Sequence, residues 1–207
     1  MNWEPPRPRY PENAPLTSPK SLSRQTRLMP DQYRVTMRKA VHVFSAGHFI
    51  TLTDDICEPV HGHNWTVACE ALGSPDAHGM VVDFIRLRDT LTAIVARLDH
   101  SMLLPTRNRL LRVSEQTVAG QAEVEVRFEN RRWVFPADEC RLLPLANTTA
   151  EWLAHWIGEE LLAAFAQAGQ PLTAGLRVEV DECLGQAAVW EQLPGSSTQP
   201  AAATKVE

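Results

Sequence analysis

Apolar residues recur along this chain at two spacings, and the order in which the spacings follow one another leaves few folds open. Alternation at every second residue marks a half-buried strand, and recurrence at three and four marks one face of a helix. Val35, Met37, Lys39, Val41 and Val43 alternate with Thr36, Arg38, Ala40 and His42, which predicts a first strand. Residues 63–72 alternate again, with Trp65, Val67, Cys69 and Ala71 on one face. Phe84, Leu87, Leu91, Ile94, Val95 and Leu98 then predict a helix over 84–98, with Asp83 as its N-cap. Ala122, Val124, Val126 and Phe128, a polar turn at 129–132, and Trp133 to Phe135 read as a hairpin. Thr148 and Glu151 have capping-box spacing ahead of a second amphipathic helix through Trp152, Leu153, Trp156, Ile157, Leu161 and Phe165. Gly169 and Pro171 end that helix. Leu176, Val178 and Val180 define a third main strand, and Gln186–Trp190 a fourth.

Two strands, a helix, a hairpin, a helix and two strands predict an α+β fold. Its expected core is an antiparallel four-stranded sheet with both helices on one face and the hairpin inserted. The opposite face is left to solvent or to another subunit. Seven of the fifteen prolines fall in the first 30 of the 207 residues. Residues 1–33 are therefore expected to form a disordered arm, and 194–207 a disordered tail, around a domain at 34–193.

A net charge of −5 argues against a general nucleic-acid binder. No apolar run reaches the roughly 18–20 residues of a helical membrane span, and the N-terminal stretch lacks the apolar centre of a secretory signal. The four cysteines, at 57, 69, 140 and 183, include no C-x-x-C pair, which fits reduced thiols in a cytoplasm.

Chemistry concentrates in FSAGHFITLTDDICEPVHGHNW, residues 44–65. His61 and His63 are two apart at the start of a strand, so both imidazoles leave on the same side. His48 follows the first strand, and an antiparallel partner would bring it alongside. Three neutral imidazoles with an open fourth position are the ligand set of a catalytic zinc site. Cys57 is either a fourth ligand that closes the site or a nucleophile or base beside the metal. Cys69 shares an apolar strand face and belongs to the core; Cys140 and Cys183 have no legible role. His42, His78 and His155 read as surface or packing residues.

The run FSAGH, C-x-x-x-HGHN, GMVVDF, LDH, TTAEWLA and VDE…AAVW, in that order, resembles the 6-pyruvoyl-tetrahydropterin synthase / 6-carboxytetrahydropterin synthase family. The likeness covers about 36–192 apart from a segment near 105–146. It implies the tunnelling (T-) fold, a hexamer of two trimers, Zn2+ as cofactor, and 7,8-dihydroneopterin triphosphate as substrate. Matched position by position, His48, His61 and His63 resemble the zinc ligands, and Cys57 the catalytic cysteine. Asp99 and His100 resemble the pair that completes the proton relay. Glu182 resembles the glutamate that anchors the pterin, with Thr149 and Glu151 in the matching pterin-side turn.

The residues themselves add to this. Glu182 shares the parity of Leu176, Val178 and Val180, so its carboxylate points to the apolar face, where it needs a donor. Adjacent helical residues do not face each other, so an Asp99–His100 pair requires the chain to leave helical geometry at Leu98. Glu58 follows Cys57 in a run that also resembles the E-x-x-HGH pattern of folate-pathway members, which makes it a candidate second base. Pro59 biases Glu58 to an extended conformation, so Cys57 and Glu58 are expected on opposite sides.

The expected activity is zinc-dependent formation of 6-carboxytetrahydropterin, a queuosine precursor, with loss of triphosphate and a two-carbon fragment. A pyruvoyl- or hydroxymethyl-pterin product, a non-catalytic pterin- or metal-binding relative, and a zinc-stabilised scaffold are the alternatives. The chain departs from the family between Ser101 and Asn147, where the hairpin is extra. Arg38, Lys39, Arg107 and Arg109 are the cations from which a triphosphate site would be drawn.

Overall fold

The computed structural model describes residues 31–194. The expected N-terminal arm and C-terminal tail lie almost wholly outside the described residues. In chain order the elements are β1 (Tyr33–His48), β2 (His61–Gly73), α1 (Phe84–Ala96), β3 (Ser101–Pro105), β4 (Arg112–Val118), β5 (Gln121–Phe128), β6 (Arg131–Pro136), a 3-10 turn (Ala137–Glu139), β7 (Cys140–Leu143), α2 (Ala150–Gln167), β8 (Leu176–Asp181) and β9 (Ala187–Gln192).

The four main strands predicted from the sequence are β1, β2, β8 and β9, and they pair antiparallel in that order. The sheet does not stop there. β3 adds to the free side of β1 and β7 to β3, both in parallel, so the sheet is mixed and six-stranded in the order β7-β3-β1-β2-β8-β9. β3 escapes a periodicity reading because all five of its residues are buried and nothing alternates. The inserted hairpin is also larger than expected. β4, β5 and β6 form a separate three-stranded antiparallel sheet. Its β5–β6 turn is Glu129-Asn130 alone, with Glu129 at φ 50 and Phe128 paired to Arg131. Arg131 and Arg132 belong to the strand, where Arg132 Nε meets Glu125 Oε2 at 2.6 Å.

The first strand corrects the sequence reading in a way that matters for function. Met37 is buried, whereas Val41 is 64% exposed and His42 and Phe44 are buried instead. The pairing with β2 shifts between Arg38, opposite Ala68, and Val43, opposite Thr66. Five steps on β1 thus lie against two on β2, and the odd excess reverses which residues face inward. Beyond the irregularity the even-numbered residues, His42, Phe44, Ala46 and His48, point to the core.

Both helices pack on that inner face over a core that includes Phe44, Trp65, Leu87, Leu91, Leu153, Ile157, Val178 and Val180. α1 starts where predicted: the Asp83 carboxylate accepts from the N–H groups of Ile85 (2.8 Å) and Arg86 (3.2 Å). It ends at Ala96, short of Leu98. The capping box does not form. Thr149 occupies the N-cap of α2 with no side-chain cap bond, and Thr148 is buried, its hydroxyl donating to Phe49 O at 3.4 Å. The outer face carries an Arg–Glu ladder in which Arg34, Arg38 and Arg177 meet Glu70 and Glu179. A second, smaller core joins Phe49, Cys57, Met102 and Leu104 to Val124, Val126 and Phe128 of the inserted sheet. No described helix is long and apolar enough to cross a membrane.

Gly158 faces the Trp190 ring so closely that a Cβ would fall inside it. Gly158→Ala is expected to destabilise the fold by about 1–3 kcal/mol through overpacking. The midpoint of urea unfolding should drop accordingly; an unchanged midpoint would mean that α2 and β9 pack more loosely than described.

Candidate metal centre and its surroundings

The reversal in β1 brings His48, its last residue, opposite His61, the first of β2, while Ala46 stands opposite His63. The three imidazoles converge, and His48 and His63 rest on Trp65. The rings of His48 and His63 meet the fully buried indole edge-on, at 5.0 and 5.2 Å. Ligand atoms of His48, His61, His63 and Glu182 lie within 4.8 Å of one another.

The hydrogen bonds around the rings decide which nitrogens are free. His48 Nδ1 donates to Thr148 O at 2.9 Å, and His61 Nδ1 donates to Pro59 O at 2.9 Å. A neutral imidazole with its proton on Nδ1 presents a lone pair at Nε2. His48 Nε2 and His61 Nε2 are 3.1 Å apart, so two lone pairs face each other. His63 Nε2 is buried without a hydrogen bond, although Glu182 Oε1 is 3.1 Å away. A shared cation relieves both conditions, and imidazole nitrogens with carboxylate oxygen suit a divalent transition metal. The donor set therefore fits a metal ion. His48 is 1% exposed, and burial pushes it down to about 4, which keeps it an unprotonated donor across the neutral range.

Glu182 lies just past β8 on the face of Leu176, Val178 and Val180, as its parity predicts. Its Oε1 stands 3.3 Å from His48 Nε2 and 3.1 Å from His63 Nε2. The chain leaves helical geometry after Arg97, and His100 takes a left-handed φ of 52. Asp99 Oδ2 meets His100 Nδ1 at 2.9 Å, and Asp99 Oδ1 accepts from Ser45 N–H at 2.8 Å. That backbone bond, with the His100 contact behind it, holds the Asp99 carboxyl below its usual range. His100 and His63 line one cavity of about 440 Å³ with Ser45, Asn64 and Glu139, and the His100 side chain is 84% exposed.

Cys57 is set apart from that cavity. It is 6% exposed in the second core, bridged to Thr51 and facing Arg131. Burial pushes its thiol up, and Arg131 pulls against that. Glu58 turns the other way, with Oε2 3.9 Å from His61 Nε2. Thr149 and Glu151 stand at the start of α2, Glu151 exposed, and neither lines the cavity. Of the candidate phosphate cations, Arg38 is paired with Glu179 and Arg109 with Asp54. Arg107 lines a separate cavity of about 340 Å³ with Arg109, Thr51 and Trp152.

Several residues of the site lay outside the sequence reading. Ser45 and Asn64, hydrogen-bonded at 2.5 Å, sit inside FSAGH and HGHN and were legible only as members of those motifs. The Thr148 carbonyl and Arg131 have no local signal, since each acts from far along the chain.

A model of the 6-pyruvoyl tetrahydropterin synthase family matches residues 37–192. A Pyrococcus horikoshii protein named "Putative 6-carboxy-5,6,7,8-tetrahydropterin synthase" is 32% identical over 120 residues, 57% of this chain and 68% of its own. One of the same name from Methanocaldococcus jannaschii is 26% identical over 152 residues, 72% of this chain and 89% of its own. The crystal structure of 6-pyruvoyl tetrahydropterin synthase from Plasmodium vivax superposes with a TM-score of 0.69 at 23% identity, covering 79% of this chain and 99% of that one. That likeness concerns the fold.

His63→Ala is expected to lose most bound metal, and Cys57→Ala to keep the wild-type content, by elemental analysis of the purified proteins. Metal loss in Cys57→Ala would make the thiol a ligand. The metal-free protein should also weaken in acid. Burial lowers His48 to about 4, so between its ordinary value of 6.5 and about 4 the unfolded chain binds a proton that the folded chain refuses, and burial lowers His42 in the same direction. Stability is present above that window and falls as pH drops through it, by about 3 kcal/mol from His48 alone. Urea unfolding at stepped pH reads this directly; a flat profile would contradict it.

Proposed function

The chain belongs to the 6-pyruvoyl tetrahydropterin synthase family, and we propose that it is a zinc-dependent 6-carboxy-5,6,7,8-tetrahydropterin synthase acting on 7,8-dihydroneopterin triphosphate. The carrying observation is the convergence of His48, His61 and His63 on one point, with His63 sharing a cavity with His100, the partner of Asp99. The names of the archaeal relatives favour the carboxy product over the pyruvoyl one. Release of triphosphate and acetaldehyde, and a place in queuosine biosynthesis, complete the reading. A cytoplasmic hexamer of two trimers is its expected form.

Zinc held by the three histidines would make the side-chain hydroxyls of the substrate more acidic and polarise the carbonyl that forms. The remaining work falls to the chain. Cys57, as thiolate, takes a proton from the substrate side chain. His100, oriented by Asp99, exchanges one on the exposed side, where it reaches solvent and substrate alike. Glu182 accepts from the pterin amino group and ring N–H together. Thr149 and Glu151 border the pterin from the start of α2.

A second activity is favoured by one observation: Glu58 turns its carboxylate to His61 while Cys57 faces the inserted sheet. Glu58 thus stands beside the histidine cluster while Cys57 is held on the side of the inserted sheet, so the two bases serve different positions. With 7,8-dihydroneopterin triphosphate as substrate and products read by mass spectrometry, Cys57→Ala should abolish the carboxy product and spare some hydroxymethyl-dihydropterin. Glu58→Ala should do the reverse. Loss of every product in Cys57→Ala would remove Glu58 as a base.

Glu182→Gln should lower kcat/KM about tenfold or more while retaining metal, because an amide offers one acceptor oxygen where a carboxylate offers two. Loss of metal in that variant would instead make Glu182 a ligand.

A further inference from the structure

The inserted β4–β6 sheet reaches the Cys57 loop through one side chain. Arg131 opens β6, and its Nη2 donates to the Cys57 carbonyl at 2.5 Å. The guanidinium lies over two rings of the insertion, Phe128 at 5.3 Å and Trp133 at 5.0 Å. Trp133 in turn stacks on Phe49 at 4.7 Å and 22°, and Phe49 directly follows His48. A planar guanidinium held by two rings and a carbonyl is fixed in direction, which a flexible ammonium would not be. Backbone bonds from Glu58 N–H to Ile50 O and from Leu52 N–H to Ile56 O, each 2.9 Å, close the same loop, and Asn147 and Arg109 hold its earlier part at Thr51 O and Asp54.

We propose that Arg131 is a positioning residue for Cys57: the insertion clamps the cysteine loop and sets a fixed cation beside the thiol. This rests on the reading of Cys57 as a catalytic base. A base must be deprotonated before it can act, and the loop buries Cys57, which disfavours the thiolate. Among the described residues the charged groups that act on the thiol are Arg131, which favours the thiolate, and Glu58, which opposes it. Arg131 is thus the side-chain cation, among the described residues, that offsets burial, and it comes from the part of the chain that departs from the family pattern. The insertion is in this account a working part of the site and not a decoration of the surface.

The test compares Arg131→Met and Arg131→Lys with wild type, each as the full chain. Thiolate formation is followed by ultraviolet absorbance against pH, with the Cys57→Ala twin of each protein subtracted so that the other three cysteines cancel. Arg131→Met should raise the Cys57 midpoint by about one pH unit. Below that midpoint its kcat should fall about tenfold with KM little changed. Arg131→Lys should recover most of the midpoint shift and part of kcat, since it restores charge without the planar stack. Melting temperatures identify a variant that fails to fold, and Trp133→Leu then serves in its place, leaving Arg131 present but unsupported, with a smaller shift in the same direction. A midpoint in Arg131→Met that coincides with wild type overturns the proposal. So does a midpoint in Arg131→Lys displaced as far as in Arg131→Met. Full activity in Cys57→Ala would overturn the assignment of the base instead, and leaves the thiolate midpoints to judge Arg131 by themselves.

Discussion

Everything at this site depends on the reversal of inward parity between Arg38 and Val43. Strand geometry alone puts His61 and His63 on the same side, but it puts His48 there only if β1 changes face partway along. In a regular strand the odd residues that bury Met37 would continue inward, and His48 would face the charged outer ladder. The irregularity costs ladder hydrogen bonds and exposes Val41 and Val43. In return it closes the core with Phe44 and aims His48 at its two partners.

The convergence is only half of what the site requires. Imidazoles meet a metal through a lone pair, and a free histidine chooses between two tautomers. Here backbone carbonyls make the choice, the distant Thr148 O for His48 and the neighbouring Pro59 O for His61. With both protons held away from the centre, the apposed Nε2 atoms repel unless a cation stands between them. The polypeptide has placed groups that satisfy one another poorly and a metal well.

How much of this could be read from the sequence follows the range of the interactions. His61-x-His63, the Asp83 cap and the inward face of Trp65, Val67, Cys69 and Ala71 are local patterns, and they stand in the structure as read. Alternation failed at Val41 and Val43 because a bulge is invisible to a fixed period of two. It failed at β3 because a parallel strand buried on both faces does not alternate, and at β7 because four residues are too few to show a period. Thr148 and Glu151 have the spacing of a capping box, but tertiary demand on Thr148 from the His48 ring overrides it. Glu182 was legible as an inward carboxylate; its approach to His48 and His63 is a long-range fact that no local pattern holds. The inserted sheet was visible as a hairpin, and its grip on Cys57 was not.

The central claim is that three imidazole nitrogens hold one zinc while the nearby thiol stays free of it. X-ray absorption at the zinc edge of the loaded protein measures this most directly. The account predicts a first shell of nitrogen and oxygen alone, with the outer scattering of three imidazole rings. A sulfur neighbour at about 2.3 Å would contradict it, because Cys57 would then close the site and could not serve as the base.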